Sequence, residues 1–75
     1  MAITLKAARV NVGLTQKKAA MLLGVSKETI SNWERGLYFP DVKNIRRLEK
    51  TYGVSYNDLT FLPKNNALSV KKEAT

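Results

Sequence analysis

Apolar residues in the first sixty positions recur at intervals of three and four, in runs that glycine brings to an end. That is the period of a helix with one buried face. Leu5, Ala8 and Val12 fall at i, i+3 and i+7 and predict a helix over residues 4–12, with Gly13 as its stop. A second helix is predicted over 15–23, with Thr15 as N-cap and a stripe of Ala19, Ala20 and Leu23, edged by Met21 or Leu22. A third starts at Ser26 and sets Ile30, Trp33 and Leu37 on one face; a fourth starts at Asp41, after Pro40, with Ile45, Leu48 and Tyr52 inward. A short fifth starts at Ser55, where "SYND" has capping-box spacing, and buries Leu59 and Leu62 before Pro63 ends it. No segment alternates with the period of two expected of a half-buried strand, and "LYF" at 37–39 is the one β-flavoured run. The expected fold is all-α: a five-helix domain over residues 1–62 and a flexible basic tail over 63–75, in which Leu68 and Val70 are the sizeable apolar residues.

Only Gly24 and Val25 separate the second helix from the N-cap of the third. So short a connection forces the two to cross sharply, which is helix-turn-helix geometry. Ala20, four residues before Gly24, stands where the helices come closest, and a larger side chain would clash there.

The third helix, within "VSKETISNWERG", carries outward residues that suit an ordinary solvated face badly. Ser, Thr and Asn compete for backbone hydrogen bonds and are mediocre helix formers. With Ile30, Trp33 and Leu37 inward, the outward stripe is Lys27, Glu28, Ser31, Asn32 and Arg35, a set of different hydrogen-bonding groups. Base edges in the major groove offer a matching mixture: lysine donates to guanine, glutamate accepts from cytosine, asparagine pairs with adenine, and the Thr29 methyl suits thymine. A solvated face that happens to be poor in helix formers is the competing reading of these residues alone. The first turn of the second helix, Gln16, Lys17 and Lys18, argues for DNA. Cations at a helix N-terminus oppose the macrodipole, an arrangement that makes sense when a phosphate sits there. In the fourth helix Lys43, Arg46, Arg47 and Lys50 form a basic stripe, either a backbone-contacting edge or a solvated face, with Lys43 nearest the third helix.

Charge strengthens the picture. The 75 residues hold 13 Lys plus Arg against 6 Asp plus Glu, a net +7 and a pI near 10.0. That balance suits a polyanion. With neither Cys nor His, disulfides, thiol chemistry and Cys/His zinc sites are excluded. No glycine-rich phosphate loop and no nucleophile-plus-base arrangement is present, so the expectation is no enzyme, no cofactor, no metal and no small-molecule substrate. The longest apolar run, "AAMLLGV", is too short for a bilayer, no signal peptide is recognisable, and the basic residues flank a core stripe instead of a broad apolar face. A cytoplasmic protein without membrane contact is expected.

"GLTQKKAAMLLGVSKETISNWERG", with "LKAARVNV" before it and "YGVSYNDL" after, resembles the XRE-type helix-turn-helix family of phage repressors and Cro proteins. The resemblance runs from about Leu5 to Leu59 and is carried by the Thr-Gln start, the Ala20-x-x-x-Gly24-Val25-Ser26 turn, Ile30 and Trp33-Glu34-x-Gly36. It implies helix three in the major groove and a dimer on an inverted repeat. By position, Gln16 resembles the family's phosphate-binding glutamine. Lys27, Glu28 and Asn32 resemble its base readers, while Ser31 and Arg35 face the sugar-phosphate backbone, joined in the expected phosphate set by Lys17 and Lys43. Arg9 and Glu34 resemble its ion pair between helices one and three, a structural assignment. Two positions depart from the pattern. Ala19 is smaller than the family's usual leucine, so either the core is looser or Met21 and Trp33 fill the space. Glu28 brings a carboxylate toward phosphates, which is repulsive unless it accepts from cytosine or pairs with Lys27 or Asn32. The implied function is a sequence-specific double-stranded DNA-binding transcription regulator, a phage or prophage repressor of Cro-like type. Tyr56, Phe61 and Leu62 are its expected homodimer contacts. An antitoxin-type module that binds DNA and a toxin partner is the alternative.

Overall fold

Four α-helices follow one another in the computed structural model, which describes residues 2–61: α1 (Leu5–Asn11), α2 (Gln16–Leu23), α3 (Lys27–Glu34) and α4 (Val42–Tyr52). Each begins on a side chain that accepts a backbone N–H three residues on: Thr4 from Ala7, Thr15 from Lys18, Ser26 from Thr29 and Asp41 from Asn44. Such caps satisfy donors that a helix start otherwise leaves without a partner, and each stabilises by about 1 kcal/mol. The ends are equally uniform. Gly13, Gly24, Gly36 and Gly53 all have positive φ, and the residue after each donates back into its helix: Leu14 to Arg9, Val25 to Ala20, Leu37 to Asn32, Val54 to Glu49. This is the Schellman closure. At Gly24 (φ 71°, ψ 31°) it turns the chain so tightly that α3 starts three residues later.

The core sits where these helices meet. Leu5, Ala8, Ala19, Ala20, Leu23, Ile30, Trp33, Leu48, Tyr52 and Leu59 are buried, with Leu23, Ile30 and Leu48 the largest side chains fully sealed from water. α2 packs chiefly on α3 and α4. The Arg47 guanidinium donates to the carbonyl of Leu23 at 3.3 Å, so α4 caps the C-terminal end of α2. Burial pushes the Tyr52 hydroxyl up to about 12; the Glu34 charge adds to the shift and Arg9 opposes it. Raised in the folded state, that group stabilises the fold below its ordinary pKa, and the contribution is lost as pH rises toward 12.

Several expectations need correction. The fifth helix is a single 3₁₀ turn, Tyr56–Asp58. The Ser55 hydroxyl accepts from Asn57, two residues on, and the Ser55 carbonyl accepts from Asp58, so the turn closes tightly at once. The chain then extends to bury Leu59, and one turn gives a helix nothing to propagate. The extension makes a strand that the sequence did not suggest: β2 (Leu59–Thr60) pairs in parallel with β1 (Ile3–Thr4), Ile3 opposite Leu59. Two residues are too few to display an alternating pattern. α3 stops at Glu34, so Leu37 lies beyond it and is half-buried; Val12 and Met21 face solvent. Met21 therefore does not fill the space beside Ala19, which is fully buried without it. Leu62, the boundary at 62 and the tail 63–75 lie outside the described residues.

Candidate nucleic-acid interface

An ion pair holds the reading unit together. Arg9 on α1 donates from Nε to Glu34 Oε2 at 2.6 Å and from Nη2 to Glu34 Oε1 at 3.2 Å. This is the two-pronged geometry that a planar guanidinium makes with a carboxylate. The third arm, Nη1, donates to the Leu14 carbonyl at 2.7 Å, in the α1–α2 connection. Both side chains are buried. The hydrogen bond to Glu34 holds the Arg9 pKa above its ordinary value, against the desolvation that opposes it. Glu34 also accepts from Gln16 Nε2 at 3.0 Å. One carboxylate at the end of α3 thus ties down α1 and the start of α2. Gln16, a residue expected to meet phosphate, has its amide held from behind by this bond, and the second N–H of Nε2 is left for another acceptor. The backbone N–H groups of Gln16 and Lys17, in the first turn of α2, have no acceptor within the helix. Lys17 and Lys18 are exposed beside them. Cation, amide and free N–H groups are therefore all carried by the first turn of α2.

The outward face of α3 carries the residues expected to read bases. Lys27 and Glu28 are exposed and make no side-chain hydrogen bond or ion pair with another described residue, so Glu28 is paired with neither Lys27 nor Asn32. Ser31 and Asn32, one turn on, are half-buried, and Arg35 at the C-cap is exposed. Thr29 is half-buried and its hydroxyl meets that of Ser26 at 2.9 Å, which occupies one of its hydrogen-bonding sites and leaves its methyl and the rest of the hydroxyl for contact. Lys43, in the first turn of α4, is exposed. Gln16, Lys17, Lys27, Glu28, Ser31, Asn32 and Arg35 thus lie on two helices held as one unit, whereas Lys43 belongs to α4 and Tyr56 to the far end of the chain.

Three features escaped the reading of the sequence. Arg47, placed there in a basic stripe, is exposed and donates to the carbonyl at the end of α2, and no spacing rule separates it from Arg46. Arg35 donates from Nη2 to Asn32 Oδ1 at 2.9 Å; the spacing of three within a helix was a visible signal for it. An exposed apolar patch joins Phe39, Val42 and Tyr56, and the Phe61 ring lies 4.5 Å from that of Phe39 and 5.9 Å from that of Tyr56. Phe39 through Val42, Ile45, Arg46, Glu49 and Tyr56 line a shallow groove there. Among the described residues no cluster of acidic side chains could hold a metal, and no helix is long and apolar enough to cross a membrane.

Comparison with known proteins accords with this geometry. The HTH-type transcriptional regulator ImmR of Bacillus subtilis is 41% identical over 51 residues, which cover 68% of this chain and 40% of that protein. The uncharacterized HTH-type transcriptional regulator MJ0272 of Methanocaldococcus jannaschii is 41% identical over 46 residues, 61% of this chain and 70% of that one. The chain therefore spans less than half of the first relative and over two thirds of the second. Residues 5–59, from the first residue of α1 to the first of β2, match the helix-turn-helix family HTH_3, and the chain belongs to this XRE-type family.

Proposed function

We propose that the protein is a sequence-specific double-stranded DNA-binding transcription regulator, a phage or prophage repressor of Cro-like type. In this reading α3 lies in the major groove and two copies sit on an inverted repeat. The observation that carries it is the outward face of α3. Lys27, Glu28 and Asn32 present a donor, an acceptor and an amide on one side of a helix whose other side is fixed by Ile30, Trp33 and Glu34. A solvated helix has no need of that mixture, and base edges do. Gln16, Lys17, Ser31, Arg35 and Lys43 are the side chains that would meet phosphates around it, fixing register without reading sequence.

The test is selection from a random duplex pool, followed by affinity measurements on the enriched site and on random DNA. An inverted repeat with half-sites about 34 Å apart is expected. Lys27→Ala and Asn32→Ala should each cost about 1–3 kcal/mol on the selected site and little on random DNA; Gln16→Ala and Lys17→Ala should weaken both alike. Equal losses on both DNAs for all four variants would remove α3 as a reader.

The second copy is proposed to dock through Tyr56 and Phe61, with Leu62 beyond them. Their support is the apolar patch of exposed Phe39, Val42 and Tyr56 around the half-buried Phe61, since contiguous exposed apolar surface marks association surfaces. Sedimentation at micromolar concentration should give twice the chain mass for the wild type and the chain mass for Phe61→Asp. A monomeric wild type would sink the docking surface.

A further inference from the structure

We propose that the second copy is selected and oriented by one charge pair made twice, Arg46 of each protomer against Glu49 of the other, across the groove beside α4; this rests on the docking surface proposed above. Phe39, Val42, Ile45 and Tyr56 make the groove apolar, and Asp41, Arg46 and Glu49 are set into the same lining. In a chain of net +7, a lining with two acids and one cation is a place where the prevailing sign reverses. Two copies repel one another through most of their exposed charge, and least where this face meets itself. A partner of one sign would leave either the guanidinium or the carboxylates unmatched. A second copy brings both signs.

Arg46 and Glu49 lie three residues apart on α4, a spacing at which helix side chains can pair. They do not pair here. Arg46 is exposed and makes no hydrogen bond or ion pair with another described residue. Glu49 is half-buried, and its Oε2 accepts from the Tyr56 N–H at 2.8 Å, which ties the carboxylate to the aromatic side of the groove and leaves Oε1 for another donor. Asp41 is engaged as the cap of α4, where its Oδ1 accepts from the Asn44 N–H. A two-fold axis makes every contact twice: where one residue meets a second on the partner, the second meets the first. A groove with a free guanidinium one helical turn from a held carboxylate is therefore complementary to a copy of itself. Moving the axis onto either residue sets like charge against like. Exposed ion pairs add little affinity, so the effect of this one is to reject wrong registers and unlike chains. The register fixes the separation of the two α3 helices, and with it the half-site spacing.

The experiment is a charge exchange read by sedimentation over a concentration series, with thermal melting to establish that each variant folds. Arg46→Glu should weaken the wild-type dimer by about tenfold or more, because carboxylate then faces carboxylate at both contacts. Net charge alone predicts the opposite, since this change brings a basic chain closer to neutrality. Glu49→Arg should weaken the dimer to a similar degree. An equimolar mixture of the two variants should form heterodimers about as tight as the wild type, because every facing pair is again of opposite sign. Should Glu49→Arg fail to fold for want of an acceptor at the Tyr56 N–H, Arg46→Glu combined with Glu49→Gln takes its place. Glutamine keeps an oxygen for that N–H, and the double variant should regain most of what Arg46→Glu loses. Three results overturn the inference: an Arg46→Glu protein that dimerises like the wild type, folded single variants that stay apart when mixed, or a double variant no tighter than Arg46→Glu. A monomeric wild type is a different result. It removes the docking surface itself, hands the groove to another partner, and takes the inference with it.

Discussion

Glu34→Ala should lower the thermal midpoint by more than about 10 °C, the largest stability effect expected of a single charged residue in this chain. Breaking a buried ion pair by removing one partner costs about 3–5 kcal/mol, and each kcal/mol moves the midpoint of a domain this small by roughly 4–8 °C. The loss is large here because Glu34 satisfies three donors: two from Arg9 and one from Gln16. Alanine would leave the buried guanidinium with the Leu14 carbonyl as its remaining acceptor. Surface ion pairs weaken in salt, whereas buried ones are screened much less. The deficit should therefore persist at high ionic strength. Replacing both partners together by Met should cost less than the sum of the single changes, since no charge is then stranded. Melting curves of the two single variants and the double variant decide the matter. A Glu34→Ala protein that melts within a degree or two of wild type would mean that the pair is incidental.

This pair also marks how far the sequence could be read. Helix starts at Thr15, Ser26 and Asp41 and ends at Gly13, Gly24 and Gly53 were legible because capping chemistry is local: a hydroxyl or carboxylate three residues from a free N–H, a glycine where φ turns positive. The buried stripe of α2 followed from periodicity for the same reason, as did Leu48 and Tyr52 of α4, whereas Ile45, expected inward with them, is half-buried. What failed was non-local. Nothing in "SYNDL" announces that Leu59 pairs with Ile3 at the opposite end of the chain, because strand pairing is set by a partner some fifty-six residues away. Arg9 beside Glu34 entered through resemblance to a family; spacing alone gives no reason to join residues twenty-five apart. The bond from Arg47 to the Leu23 carbonyl was not legible because a basic stripe looks the same whether or not an exposed member is also hydrogen-bonded to a neighbouring helix. At the candidate interface, residue types were readable, and the spacing of three between Asn32 and Arg35 was a local signal, while Glu34 behind Gln16, eighteen residues away, came only with the fold.

DNA affinity should fall about a thousandfold between 50 and 200 mM salt, the largest effect expected on function. Each phosphate neutralised by a lysine or arginine releases condensed counterions and adds about 0.9 to the slope of log affinity against log salt. Three of the side chains proposed to meet phosphate are cations: Lys17, Arg35 and Lys43. Two protomers double the set, so the slope should be about −5; a single protomer on DNA would give about −3. The slope thus reads stoichiometry as well as charge. Arg46, Arg47 and Lys50 stay outside the sum because they are not among the side chains proposed to meet phosphate. Lys17→Ala should flatten the slope by about 2, one phosphate per protomer. Asn32→Ala should lower affinity for the selected site and leave the slope where it was, since an amide on a base edge displaces no counterion. Fluorescence anisotropy with a labelled duplex over that salt range measures all three. A slope near zero in the wild type would mean that the net charge of +7 is not spent on phosphates, and the case for α2 and α3 as a DNA-docking unit would go with it.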